Sequence, residues 1–447
     1  MAVIAPEMVK EVTAEEKSQK KRVVATLGFA QLGDFGEGQI ANSMFPAIRE
    51  SLGLNLAALG TITAVRRIVA FLMMPVWGAI SDRYSRKGVL VWATGVWGIW
   101  TLAIGFTQSF TQFLIMVAIA GVGIAAIDGP LSSLISDLFP KEERGRAFGN
   151  IKGIAYFAIA PTLIYFKYLT DNFPDTGWRI AFWSFGILSI LSGILIAIFV
   201  KEPIRGKSED AFDGLSNDKI AQEAENNPFS LEKAKTLFER PTFIFNLIDK
   251  FFIAFPTVIL FAFVTTWLVD DRNIPQGQAI LFTLAALIGL VLGSFLGGQV
   301  GDRLLKSGQA RKHLIYGHVA QVVMAISWVM LFTMEWGRGP IFILLMIAGF
   351  TQEFRTTGIV KVVVSRVMLP EVRGLGFSLE RAVDSLGRVA AALLVGYFAD
   401  QVGLTQTFIW FGAFITILLI GIYFLYYRSY ESDAEIIQAT LTARTGA

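Results

Sequence analysis

Apolar runs of about twenty residues, separated by short polar turns, recur along nearly the whole chain. In hydrocarbon a backbone must bond its own polar groups, so a run of ~20 apolar residues crosses ~30 Å of membrane as a helix. Twelve such spans are placed near 23–49, 56–81, 88–107, 110–138, 143–169, 178–200, 242–268, 275–301, 312–335, 339–368, 374–400 and 404–427. Composition agrees. The chain is 54% hydrophobic and 17% charged, with 37 Phe and 10 Trp, whereas a soluble domain carries nearer ~25% charge.

The same numbers exclude several chemistries. With no Cys there are no disulfides, thiolate metal sites or Cys nucleophiles, and the 2 His, His313 and His318, are too few for a His-rich metal site. No catalytic constellation is present, so neither an enzyme nor a cofactor is expected. A net charge of +3 fits basic loops beside a membrane, not a nucleic-acid surface. The first twenty-odd residues end in Lys20-Lys21-Arg22. They lack a signal peptide's apolar core and read as a cytoplasmic tail.

Two motifs occur twice. Gly78-Ala-Ile-Ser-Asp82-Arg83-Tyr-Ser-Arg86-Lys87 follows span two, and Gly298-Gln-Val-Gly-Asp302-Arg303-Leu-Leu-Lys306 follows span eight. Phe139-Pro-Lys-Glu-Glu-Arg144-Gly-Arg-Ala-Phe148 follows span four, and Leu369-Pro-Glu-Val-Arg373-Gly-Leu-Gly-Phe377 follows span ten. Repeats at equivalent places imply duplicated units. The expected fold is therefore all-α, with twelve transmembrane helices in two pseudo-symmetric six-helix bundles, 23–200 and 241–428. Polar residues 201–240 form the expected linker, and 1–22 and 429–447 the tails. Within the linker, Leu231, Ala234, Leu237 and Phe238 share one face of a possible surface helix, with a plain tether as the alternative. Lys and Arg concentrate in the loops on the side of the termini, at Lys20 to Arg22, Arg83 to Lys87, Lys141 to Arg146, Arg303 to Lys312, Arg366 and Arg373. Both termini are accordingly expected in the cytoplasm, with a bacterial inner membrane as the location.

A Gly-x-x-x-Asp-Arg turn in each half resembles the signature loop of the major facilitator superfamily of secondary transporters. The resemblance implies a gate. Gly78 and Gly298 would allow close helix approach, while Asp82, Arg83, Arg86, Asp302 and Arg303 would make contacts across the bundles that form in one state and break in the other. Positive-inside topology alone is the alternative. Glu37-Gly38-Gln-Ile-Ala-Asn-Ser-Met-Phe-Pro46-Ala-Ile48, Gly121-Val-Gly123-Ile124-Ala, Ile135-Ser-Asp137-Leu-Phe139 and Glu202-Pro203 resemble the spinster-like branch of lipid and lysolipid carriers. Gly38 stands where that branch has Arg, Ile124 where it has Glu, and Val117 where proton-coupled relatives have Arg.

Charges inside spans cost at least ~2.5–3.5 kcal/mol each on insertion scales, so each needs a reason. Asp34 and Glu37 share a face of span one. Arg66 and Arg67 lie in span two, Asp128 in span four, Glu353 and Arg355 in span ten. The resemblance places spans one, four, seven and ten around a central cavity, where these groups would face one another. A desolvated carboxylate takes up a proton more readily, and an Arg holds an anion or pairs with the acid. Asp34, Glu37, Arg66, Arg67, Asp128, Glu353 and Arg355 are thus the expected substrate and proton-coupling residues. Glu380, Arg381, Asp384 and Arg388 of span eleven, spaced i,i+3 and i,i+4, read as internal salt bridges, and Lys152 and Lys250 as structural. The expected activity is proton-coupled movement of an amphipathic anion or zwitterion such as a lysolipid, by a monomer among membrane lipids. A carrier of small polar organic anions or drugs, and a non-transporting receptor on the same fold, are the alternatives.

Overall fold

The computed structural model describes residues 14–83, 85–126, 159–202, 235–306, 310–356, 360–369 and 372–445, with isolated positions between 131 and 154. Asp128, Lys152, most of the 201–240 linker and all of the Phe139–Phe148 repeat lie outside the described residues. So do the side chains of Gly78, Asp82, Arg83, Gly298, Asp302 and Arg303, although their backbones continue the helices Leu56–Arg83 and Gln276–Lys306.

The fold is all-helical, with twelve spans in two bundles. Among the described residues eight helical stretches are long and apolar enough to cross a membrane by themselves, including Leu56–Met74, Gly177–Phe199, Gln276–Gly297 and Leu379–Val402. Span one, Ala14–Ser43, falls short because it carries Asp34 and Glu37 in mid-helix. Span ten is described over Arg338–Arg355 and Lys361–Arg366, with 357–359 outside the described residues. Spans four and five are described over Phe110–Ile124 and Ile159–Asn172.

Spans three, seven and twelve each contain a π-helical turn, at Val91–Val96, Ile259–Phe263 and Ile409–Phe414. Such turns widen the helix and bend it. In span seven the widened turn follows Pro256, which lacks an amide donor. Helix also extends beyond the apolar runs. Span one starts at Ala14, so Lys20 to Arg22 are helical, and span twelve continues as Ile415–Thr445 through the expected tail. That extension is anchored by buried Asp433, whose carboxylate accepts the Thr242 N–H at 2.9 Å, at the start of span seven.

The core is arranged asymmetrically along the membrane normal. On the side away from the termini one apolar cluster joins both halves, bringing Met44, Ile48 and Leu59 together with Val264, Trp267 and Ala392. Toward the termini the core divides. Val23, Leu27, Val89 and Ile196 form one cluster in the first half, and Phe243, Val360, Met368 and Ile437 another in the second. The two bundles therefore share packing at one end and pack separately at the other.

Candidate functional site

Polar contacts clasp the shared end. Arg49, at the end of Phe45–Leu52, forms a two-pronged bond with Asp270 of span seven (2.5 and 2.7 Å). Asp400, at the end of span eleven, accepts the first N–H groups of span two, Leu56 at 2.8 Å and Ala57 at 3.0 Å. Gly60 then lies against Ala392 and Gly396, so closely that a Cβ at position 60 meets the Ala392 carbonyl. Asp171 of span five sits over Gly277 at the start of span eight, which is the pseudo-symmetric counterpart of the Asp400 contact. Carboxylates at helix N-termini satisfy orphan N–H groups and the positive end of the helix dipole.

The sequence candidates separate into three places. In the first bundle Asp34 and Glu37 line one small recess with Trp97, Thr101 and Ser189. Glu37 is 8% exposed. Arg66 is the cation acting on both acids, and its Nη1 donates to the Gly38 carbonyl at 3.0 Å. A Cβ on Gly38 comes 2.7 Å from Arg66 Nη2, so the guanidinium keeps this place only beside a residue without one. The Arg66 guanidinium of span two thus lies directly against position 38.

Arg67 points elsewhere. The charges acting on it are Arg388, Arg66 and Asp384, so it faces span eleven of the other bundle. In the second bundle Arg355 is 0% exposed and binds Asp249, also buried, with both oxygens (2.9 and 2.8 Å). Tyr423 and Tyr426 of span twelve surround the pair. Arg355 is thus engaged inside its own bundle and does not meet Asp34 or Glu37. Of the gate residues, Arg86 is described: its backbone N–H, with that of Lys87, is held by Glu202 (2.9 and 2.8 Å).

A cavity of about 500 Å³ occupies the terminal-side half of the second bundle. Span ten contributes Gln352 and Glu353, and Gln352 Nε2 donates to Thr257 across the wall at 2.5 Å. Span eleven contributes Phe377, Glu380, Arg381, Asp384 and Arg388, a stripe along one helix face. Glu380 accepts from Asn246 Nδ2 at 2.6 Å, and Arg388 Nε donates to Asp384 at 2.7 Å. The second of these is the internal pair expected from spacing. Lys250 lines the cavity as well, and Arg381 is exposed in it. No carboxylate among the described residues forms an ion pair with either of these two cations. The charge stripe on span eleven signalled this wall in the sequence. The Asp249–Arg355 pair had no such signal, because its members lie 106 residues apart.

The profile of the Major Facilitator Superfamily matches residues 27–352. A "Probable 4-methylmuconolactone transporter" of Cupriavidus pinatubonensis is 24% identical over 324 residues, covering 71% of this chain and 70% of that protein. "Protein spinster homolog 1" of Bos taurus is 23% identical and covers 90% of this chain and 77% of that one. The crystal structure of a bacterial homolog of the human lysosomal transporter Spinster, inward-facing and unoccupied, superposes with a TM-score of 0.78 at 18% identity, over 93% of this chain and 98% of that one. The chain is a membrane transporter, not an enzyme; it belongs to the Major Facilitator Superfamily, and within it resembles the spinster-like branch.

Proposed function

We propose that the protein moves a small organic anion by alternating access, coupled to protons. The observation that carries this reading is the cavity wall. Beside the carboxylates Glu353, Glu380 and Asp384, Lys250 and Arg381 offer cationic groups that no carboxylate among the described residues pairs with, while Ile253 and Phe377 are the apolar members of the lining. A charged wall of this size suits a carboxylate or sulfonate on a small body. It offers little apolar surface to the acyl chain of a lysolipid, which makes the lysolipid the weaker reading. The relative named for 4-methylmuconolactone supports a compact organic substrate.

The clasp at Arg49–Asp270 and Asp400 supports a state closed away from the termini, with the cavity on the terminal side. The basic loops support that side as cytoplasmic. In the opposite state, the loops at Gly78 to Arg86 and Gly298 to Arg303 would close it. Asp34, Glu37 and Arg66 form the proposed coupling group, with Glu37 buried and the other two half-buried in the first bundle, separate from the anion cavity.

The test is ligand-dependent thermal stability of the purified protein with benzoate, succinate, gluconate and sulfoacetate against lysophosphatidylcholine. Proteoliposome uptake of whichever compound stabilises it follows. Stabilisation and uptake of an acid are expected; stabilisation by the lysolipid alone overturns the small-anion reading.

A further inference from the structure

We propose that Arg67 and Arg388, facing each other from opposite bundles, form a clamp for the substrate's anionic group, and that the shared anion draws the bundles together. This deepens the organic-anion reading and rests on it.

The register of spans two and eleven brings the two residues opposite. The helices run antiparallel. Leu56 and Ala57 meet Asp400, and Gly60 meets Ala392 and Gly396. Two helical turns farther along span two, the same register sets Arg67 against Arg388, two turns back along span eleven. Arg388 lines the cavity, and Arg67 lies close enough to feel its charge from the other bundle.

Among the described residues, one carboxylate serves both guanidiniums: Asp384 acts on Arg67 and already accepts from Arg388 Nε. Arg66 adds a further cation nearby but is matched by Glu37 and Asp34. Glu353 and Glu380 line the same cavity but are not among the charges acting on Arg67. Arg67 Nε is buried and makes no hydrogen bond. A guanidinium presents five donors in a planar fork, suited to a two-oxygen acceptor. A substrate carboxylate placed between them supplies a second negative charge beside Asp384 and an acceptor for each side. Because Arg67 belongs to one bundle and Arg388 to the other, that anion stabilises their approach more than their separation, which is what a ligand must do to shift a conformational equilibrium. Arg381 lies seven residues from Arg388 on the same face, about 10 Å nearer the terminal side. There, with Lys250, it raises the local concentration of anions before they reach the clamp.

The experiment compares acids with their neutral amides in the full-length protein. Affinities for benzoate against benzamide, and succinate against succinamide, are measured by isothermal titration for the unaltered protein, Arg67→Gln and Arg388→Gln. At least one acid is expected to bind the unaltered protein about tenfold or more tightly than its amide. Either substitution is expected to erase that preference through weaker acid binding, with amide binding unchanged. Folding is checked by size exclusion and thermal melting. Should a Gln variant fail to fold, Arg67→Lys and Arg388→Lys are read instead. They keep the charge but lose the fork, and are expected to retain only part of the preference. An undiminished preference in the folded variants overturns the clamp and leaves the organic-anion reading standing. Absence of acid binding to the unaltered protein overturns both.

Discussion

At the scale of single residues, adjacent arginines do different work. An α-helix turns about 100° per residue, so Arg66 meets Gly38 within its own bundle while Arg67 reaches span eleven of the other. Spacing alone places both in span two. Which bundle each faces depends on the rotation of the helix, fixed by packing at the Gly60–Gly396 contact. Gly38→Ala puts a methyl against the flexible end of Arg66. The guanidinium can swing aside at little cost to stability but loses its place beside Glu37. Transport is expected to fall about tenfold while the melting temperature stays within a few degrees, as ~1.4 kcal/mol lost from a functional contact alone predicts. A large loss of stability would contradict this. Asp249→Ala should behave in the opposite way. It strands the buried Arg355 charge, a change that costs about 3–5 kcal/mol, whereas the double variant Asp249→Leu with Arg355→Met should melt close to the unaltered protein. Melting curves of both variants decide whether the pair is a matched structural unit.

At the scale of elements, a single device recurs: a carboxylate from one span end holds the N-terminal amides of another. Glu202 does this for span three, Asp433 for span seven, and Asp271 for span twelve, through the Thr405 N–H at 2.9 Å. Those three act within a bundle. Asp400 acts across bundles, so its bond must break when the far side opens. Gly60→Leu should wedge spans two and eleven apart at their closest approach and stop transport. The chain has no Cys, so a single cysteine at Ala57 reports the outcome: maleimide labelling from the side away from the termini should rise several-fold with Gly60→Leu. Unchanged labelling would show that this contact is not the closed end. The order of spans and the duplication are legible in the sequence because apolar length is a local property. The caps and the clasp are not, because they join residues such as Arg49 and Asp270, 221 positions apart. The charge stripe of span eleven was legible as a pattern; that it lines a cavity became visible only once the helix was set against spans seven and ten.

At the scale of the whole molecule, the coupling group and the anion cavity occupy different bundles, Asp34, Glu37 and Arg66 in one, Lys250 and Arg381 in the other. In the proposed mechanism, a proton taken up in the first bundle reaches an anion at the cavity through span two, which carries both Arg66 and Arg67. Helix register carries that link: Arg66 is tied to the span-one acids, and its neighbour Arg67 faces span eleven. On the proposed coupling, charged Glu37 attracts Arg66 and favours the present rotation of span two, and protonation weakens that attraction and lets span two shift against span eleven. Glu37→Gln mimics the protonated acid permanently. In proteoliposomes with an imposed pH gradient, this variant is expected to exchange substrate across the membrane at rates near those of the unaltered protein, since exchange requires no net proton transfer. It should fail to accumulate substrate against its concentration gradient. Both activities are measured with the compound identified by thermal stabilisation. Loss of exchange together with accumulation would make Glu37 part of the transport path itself, and accumulation that survives the substitution would move the coupling role to Asp34 in the same recess.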